Sequence, residues 1–265
     1  MTLQTLVAAV DQTDHSLALQ MNLQTDALVG NQGNVASTES FALNGHRVTY
    51  MNTTDRGVGK NRNLLLESAS ADLCILADDD MRFVDGYPEI VEEAVGRCPQ
   101  GDVWIFNLIE KNPRRYVNRK IRPVRRWSYG KYGAARLVIR RQAVLEQGIR
   151  FSLSFGGGTR YGSGEDTIFL RDCLRHGLKL YAVPYALAEI DQTAESTWFR
   201  GYTPKFFRDK GALYACLHPV LWPTYTAYYL LRYRKKFRGS ISCRQAAKNM
   251  LAGGNAFRTG SEETP

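Results

Sequence analysis

The sequence predicts an α/β fold: a mostly parallel sheet flanked by helices, followed by a helical, basic C-terminal extension. Three observations carry this. Short apolar, β-rich runs alternate with segments of helical periodicity as far as about residue 110, a rhythm that builds parallel sheets through crossover helices. The acidic triplet Asp78-Asp79-Asp80 directly follows one of these runs, at the strand end where open α/β sheets bind ligands. Beyond Thr203 the texture changes to amphipathic and aromatic stretches and then to the basic run Arg232 to Arg238.

The expected strands are Leu3 to Val10, Ala27 to Val29, Arg47 to Met51, Leu73 to Ala77 and Val103 to Ile109, with helices over Asn61 to Ala69 and Tyr87 to Val95. In the second helix Ile90, Val91, Ala94 and Val95 recur at helical spacing. Residues 111 to 133 break the rhythm with Arg114, Arg115, Arg119, Lys120, Arg122, Arg125 and Arg126 among aromatic residues and prolines, and read as an excursion. Strands over Arg136 to Arg140 and Lys179 to Val183 frame the glycine-rich stretch Phe155 to Gly164 and a helix from Glu165 to Arg175. The core is expected to close near residue 192. The division that follows is a catalytic domain over 1–202 (halves 1–110 and 111–202), a helical segment over 203–252 and a flexible tail over 253–265.

At 265 residues, with 44% hydrophobic and 23% charged residues, the chain can bury a sizeable core, which excludes a disordered or fibrous protein. Lys and Arg total 35 against 26 Asp and Glu, a net +9 that points to phosphate-rich ligands, nucleic acid or an anionic membrane. The five cysteines are scattered and never in CxxC spacing, which disfavours a zinc site or a disulfide scaffold and fits a reducing cytosol. The first residues lack the basic region and cleavage pattern of a signal peptide, and no apolar run approaches the roughly 20 residues that span a bilayer.

Three motifs carry chemistry. Adjacent carboxylates repel, so Asp78, Asp79 and Asp80 at a buried strand end make sense around a hard divalent cation, Mg²⁺ or Mn²⁺; a solvated, capping turn is the alternative. Second, Asp55 to Asn63 opens a helix with Gly57, Gly59 and the basic Arg56, Lys60 and Arg62. Free N–H groups and positive charge there suit a diphosphate, although a glycine turn with a solvated basic face explains the same residues, and the GxxxxGK[ST] spacing is absent. Third, Gly162-Ser163-Gly164-Glu165-Asp166 reads as a capped helix start, and its glycine-rich approach leaves one carboxylate free to face a ligand.

Together, Gly59 to Asn63, Cys74 to Asp80 and Gly164 to Asp166 resemble, in order and spacing, the family 2 glycosyltransferases of GT-A (Rossmann-like) fold that build bacterial surface polysaccharides. The likeness spans roughly residues 3 to 210. It implies a metal-dependent, inverting transferase of hexosyl type that moves one sugar from a nucleotide-sugar, a UDP-sugar, to a glycan or polyprenyl-diphosphate-linked acceptor. By the same resemblance Asp78, Asp79 and Asp80 hold the donor and its cation, by either a DxD or a DD pattern. Asp166 is the base with Glu165 beside it, and Arg62, with Lys60, lies at the diphosphate. Many relatives end the second strand in base-reading acids, where this chain has Gly30-Asn31-Gln32; Asn31 takes that place. Glu195 to Trp198 stands in for the QxxRW motif of processive synthases and implies single addition.

The aromatic stretch Leu217 to Leu231 and the basic run after it fit an anionic membrane surface, and equally a helix packed on the catalytic domain. The expected location is cytoplasmic, or peripheral on the cytoplasmic face of the inner membrane. Two other classes compete: a metal-dependent nucleotidyltransferase, and a nucleic-acid binder using the basic cluster at 114–126 with Tyr116 and Trp127. The second leaves both acidic motifs unused, so no nucleic acid partner is expected.

Overall fold

A computed structural model describes residues 1–113, 115–192, 199 and 201–260. Two compact units divide the chain, Met1–Leu153 with Glu165–Glu195, and Ser154–Gly164 with Ser196–Pro265.

The first unit runs β1 (Leu3–Val10), α1 (Ser16–Gln20), β2 (Asp26–Gln32), β3 (Ser37–Leu43), β4 (His46–Thr53), α2 (Val58–Ser68), β5 (Leu73–Asp78), β6 (Met81–Phe83), α3 (Tyr87–Arg97), β7 (Val103–Ile109), β8 (Arg122–Pro123), β9 (Leu137–Arg140), α4 (Arg141–Glu146), α5 (Glu165–Arg175) and β10 (Leu180–Ile190). These strands form one sheet in the order β3-β4-β2-β1-β5-β9-β7-β10-β6, with β8 pairing β10. The segment β4-β2-β1-β5 is parallel, as is β7-β10, so β2, β1 and β5 deliver their carboxyl ends to the same edge. β9 lies antiparallel between β5 and β7.

The central strands are apolar without a break because both faces are covered. Successive residues alternate between two clusters: Val7, Val29, Ile75 and Ala77 pack with the α1 and α3 side, whereas Leu6, Leu28, Cys74 and Leu76 pack with the α2 and α5 side. This places Asp78 at the first position where the buried strand opens, with exposure rising from 1% at Ala77 to 38% for the Asp78 side chain.

The excursion after β7 is pinned from inside. Arg136, 2% exposed, donates to the carbonyls of Phe106 (2.5 Å) and Tyr116 (3.1 Å) and to Asn107 Oδ1 (3.2 Å). Burial pushes its guanidinium down to about 10. Asn107 and Asn118 exchange amide bonds of 2.9 and 2.7 Å, so the turn is fastened at both ends.

The second unit contains α6 (Pro204–Leu217), α7 (Trp222–Phe237) and α8 (Cys243–Thr259). Here the tail expected over 253–265 is corrected: α8 continues through Gly253 and Gly254 to Thr259, while 261–265 lie outside the described residues. The glycines are used for close packing. A Cβ on Gly253 would stand 2.0 Å from Arg208 O, and one on Gly211 1.9 Å from Met250 O, so α6 and α8 meet backbone against backbone. The glycine-rich stretch also belongs to this unit. Phe155 stacks on Tyr161 at 4.7 Å beside Phe257, and Gly162 N donates to Asp209 Oδ2 at 3.0 Å. All five cysteines are free thiols, and no helix among the described residues is long and apolar enough to cross a membrane.

Candidate active site

The carboxyl edge of the sheet brings three of the predicted acids, Asp78, Glu165 and Asp166, together around one guanidinium. Arg62, on the buried side of α2 and 5% exposed at its side chain, donates through Nη2 to Asp78 Oδ1 at 2.6 Å. Its Nη1 reaches Asp166 Oδ1 at 3.0 Å and Glu165 Oε1 at 3.3 Å. The Phe151 ring lies 5.5 Å beneath the guanidinium, and Nε has no hydrogen-bond partner among the described residues. Burial alone would lower the Arg62 pKa; Asp78, Asp166 and Glu165 outweigh it and raise the value.

Glu165 and Asp166 occupy the first turn of α5, where the helix dipole favours negative charge. Both are nonetheless held above the ordinary carboxylate range. For Glu165 burial comes first and the neighbouring Asp166 second, with Arg62 opposing; for Asp166 it is burial, again opposed by Arg62. Glu165 is the more enclosed, its side chain 11% exposed against 28% for Asp166. The 129–136 segment closes on Asp166: a Cβ on Gly133 would sit 3.3 Å from Asp166 Oδ2, and the Ala134 backbone N–H supports the carboxylate.

The triplet divides its work. Asp79 Oδ2 accepts from Val10 N at 3.1 Å and, at 3.5 Å, from Gln12 Nε2, tying β5 to the loop after β1. Burial raises its pKa, with the Val10 N–H opposing. Asp80 is pushed up to about 6 by burial and then by Asp78 and Asp79, while Arg115 of the excursion opposes. Among the described residues no three His, Cys, Asp or Glu side chains form a ready-made metal cage. Mg²⁺ and Mn²⁺ do not require one, since one or two carboxylates with substrate phosphates and water complete the shell. Arg62 is shared by Asp78, Glu165 and Asp166, and Arg115 is paired with Glu110, so Asp78 and Asp80 offer an oxygen-only donor set with surplus negative charge, which fits a hard divalent cation.

Two sequence-predicted residues are placed elsewhere. Lys60 is half-exposed and pairs with Asp55 at 2.8 Å, away from the Arg62 cluster. Two residues apart on a helix lie on different faces, so Lys60 and Arg62 cannot serve the same point. Asn31, 4% exposed, donates to Gln12 O (2.9 Å) and Asn52 Oδ1 (2.8 Å) and accepts from Gln12 N (3.0 Å). It fixes the loop after β1. Gln32 does likewise for the loop between β4 and α2, accepting from Gly57 N at 2.6 Å. Residues 195–198, compared above with QxxRW, lie outside the described residues. Gln12 and Gly133 are not singled out by the sequence, and Arg115 stands out there only as part of the basic excursion, because each reaches the site through loops whose course is set by tertiary contacts.

The mostly parallel sheet, in the order β3-β4-β2-β1-β5-β9-β7-β10-β6 with helices on both faces, is the GT-A fold. Solved structures similar to the chain bear the fold out: S. aureus TarS residues 1–349 superposes with a TM-score of 0.58 at 11% identity, covering 100% of this chain and 93% of that one. The same TarS fragment bound to UDP-GlcNAc gives 0.58 at 10% identity, with the same coverage of both chains. S. aureus TarS itself gives 0.62 at 13%, covering 99% of this chain and 50% of that chain. No family model and no curated protein sequence matches.

Proposed function

We propose that the chain is an inverting glycosyltransferase that moves a single sugar from a nucleoside-diphosphate sugar to a hydroxyl of a glycan or lipid-linked acceptor in bacterial surface-polysaccharide synthesis. One observation carries the reading: Arg62 gathers the strand-end Asp78 and the α5 acids, 103 and 104 residues further along than itself, onto a single guanidinium. Donor-binding and base-bearing elements thereby share one frame. A TarS structure that holds UDP-GlcNAc supports the donor class.

In this reading Asp78 and Asp80 would hold a Mg²⁺ or Mn²⁺ ion, which supplies Lewis-acid neutralisation of the departing diphosphate. Asp79, committed to Val10 and Gln12, shapes the loop that receives the nucleotide. Asp166 takes the proton of the acceptor hydroxyl. The acceptor oxygen forms a bond to the anomeric carbon as the bond from that carbon to the diphosphate oxygen breaks, and the nucleoside diphosphate leaves with the electron pair. Attack from the face opposite the leaving group inverts the centre. A base pKa above that of free Asp suits the role, because proton transfer is most effective when the base titrates near the working pH. Arg62 acts as the positioning residue that aims Asp166 and Asp78, and Glu165 shares its Nη1.

The test is a panel of nucleotide-sugars with Mn²⁺, read by product. Release of nucleoside diphosphate with a sugar-extended acceptor supports glycosyl transfer. Release of sugar 1-phosphate, the leaving group when the nucleotidyl group of the same donor is transferred, supports nucleotidyl transfer instead and overturns the proposal, as does the absence of any nucleotide binding.

A further inference from the structure

The charge of the chain is not spread over it. Residues 201–260 contain eleven Lys or Arg and one acid, Asp209, a local balance of +10 against +9 for all 265 residues. The remainder is therefore close to neutral, and the helical unit carries the surplus. Within that unit α7 and the residue that caps it concentrate the charge: Arg232, Arg234, Lys235, Lys236 and Arg238 have no carboxylate within ion-pair distance among the described residues, whereas Asp209 is already engaged by Lys205 at 2.7 Å.

The same helix exposes apolar side chains in register with its charges. Trp222, Thr226, Tyr229, Leu230 and Phe237 form its buried side. Opposite them stand Leu221 (57% exposed), Tyr228 (59%) and Leu231 (78%), with Val220 just before the helix at 85%. Positions 221, 225, 228, 232 and 235 recur at spacings of three and four, so leucine and tyrosine at one end and Arg232 and Lys235 at the other share one stripe. A face that interacts only with water does not need exposed leucines, and a soluble polyanion needs only the charges. An apolar stripe continuing into unpaired cations matches an interface with acyl chains beneath anionic headgroups. We infer that the solvent face of α7 docks the protein on an anionic lipid bilayer, lying in the interface without crossing it.

Co-sedimentation of the full chain with vesicles tests this. The probes are phosphatidylcholine alone, phosphatidylcholine mixed with phosphatidylglycerol, and inorganic polyphosphate as a soluble polyanion. Binding is expected to the anionic vesicles only, falling as salt rises. Lys235→Gln with Lys236→Gln weakens it on the order of tenfold to thirtyfold at low salt. Leu221→Ser with Leu231→Ser weakens vesicle binding but leaves polyphosphate binding unchanged. Both pairs are exposed, and unchanged thermal midpoints confirm folding. Equal binding to neutral vesicles, no binding, or indifference to the leucine pair overturns the inference, the last leaving a polyanion site. A dimer in solution that the leucine pair abolishes also overturns it, with a second copy as occupant. Docking needs the helical unit alone, so nucleotide binding by the variants is read separately and the transferase proposal fails or survives independently.

Discussion

Replacing Arg62 by Met tests the ionic cross-link at the centre of the site. The substitution conserves much of the side-chain volume over Phe151 but removes the donor to Asp78 at 2.6 Å, to Asp166 at 3.0 Å and to Glu165 at 3.3 Å. Removing one partner of a buried ion pair costs about 3–5 kcal/mol, chiefly through the charges left behind. At roughly 2–4 °C per kcal/mol for a chain of this size, the thermal midpoint in chelator should fall by about 6–20 °C at neutral pH. The sign of the pH dependence follows from the raised carboxyls. Glu165 and Asp166 already bind protons more tightly in the folded state than in the unfolded chain, and loss of Arg62 raises them further. Stability then falls as pH rises through the interval between unfolded and folded values, so the deficit of the variant should be small near about pH 5 and largest above about pH 7. Differential scanning calorimetry across that range measures it. A midpoint within about 2 °C of the parent at every pH, less than about 1 kcal/mol by the same conversion, would refute the cross-link.

Other outcomes follow from the geometry. Gly253→Val puts a branched side chain where Arg208 O stands 2.0 Å from the position a Cβ would take, and overpacking should cost at least about 1–3 kcal/mol, read as an early thermal transition. Asn31→Ala removes two hydrogen bonds to the loop after β1 and one to Asn52 of β4, and leaves Gln12 N and O without those partners; about 1–3 kcal/mol of destabilisation is expected, with weaker nucleotide affinity by calorimetric titration. Chelation should abolish nucleoside diphosphate release, and Mg²⁺ or Mn²⁺ should restore it; undiminished release in chelator would show that no cation takes part.

What can be read in the sequence depends on how local its cause is. β1, β7 and α5 have the bounds that their apolar runs and helix-start residues indicate. β3 escapes a sequence reading because its side chains are mostly exposed and polar, leaving no apolar run; its only signal is Asn44-Gly45, whose φ of 52° and 84° make the hairpin turn to β4. The antiparallel insertion of β9 and the partnering of Arg62 depend on contacts across the chain, which no local pattern encodes. The acids of the site are legible because their residue types and strand-end placement are themselves chemical statements. The roles of Lys60 and Asn31 are not, because a side chain's direction on a helix and the bonds it has already made decide whether it is available. Gly253 and Gly254, which look like helix breakers in isolation, are retained in α8 because close neighbours, Arg208 O and the Trp222 ring, leave no room for a side chain.

In the proposed reaction Asp166 removes the acceptor proton while the strand-end acids hold the donor. Comparing Asp166→Asn with the parent, by nucleotide titration in Mn²⁺ and by nucleoside diphosphate release on the same preparations, separates those functions. Nucleotide affinity near that of the parent is predicted, with turnover reduced by about 10²–10⁴-fold. Near-parental turnover in Asp166→Asn would contradict it.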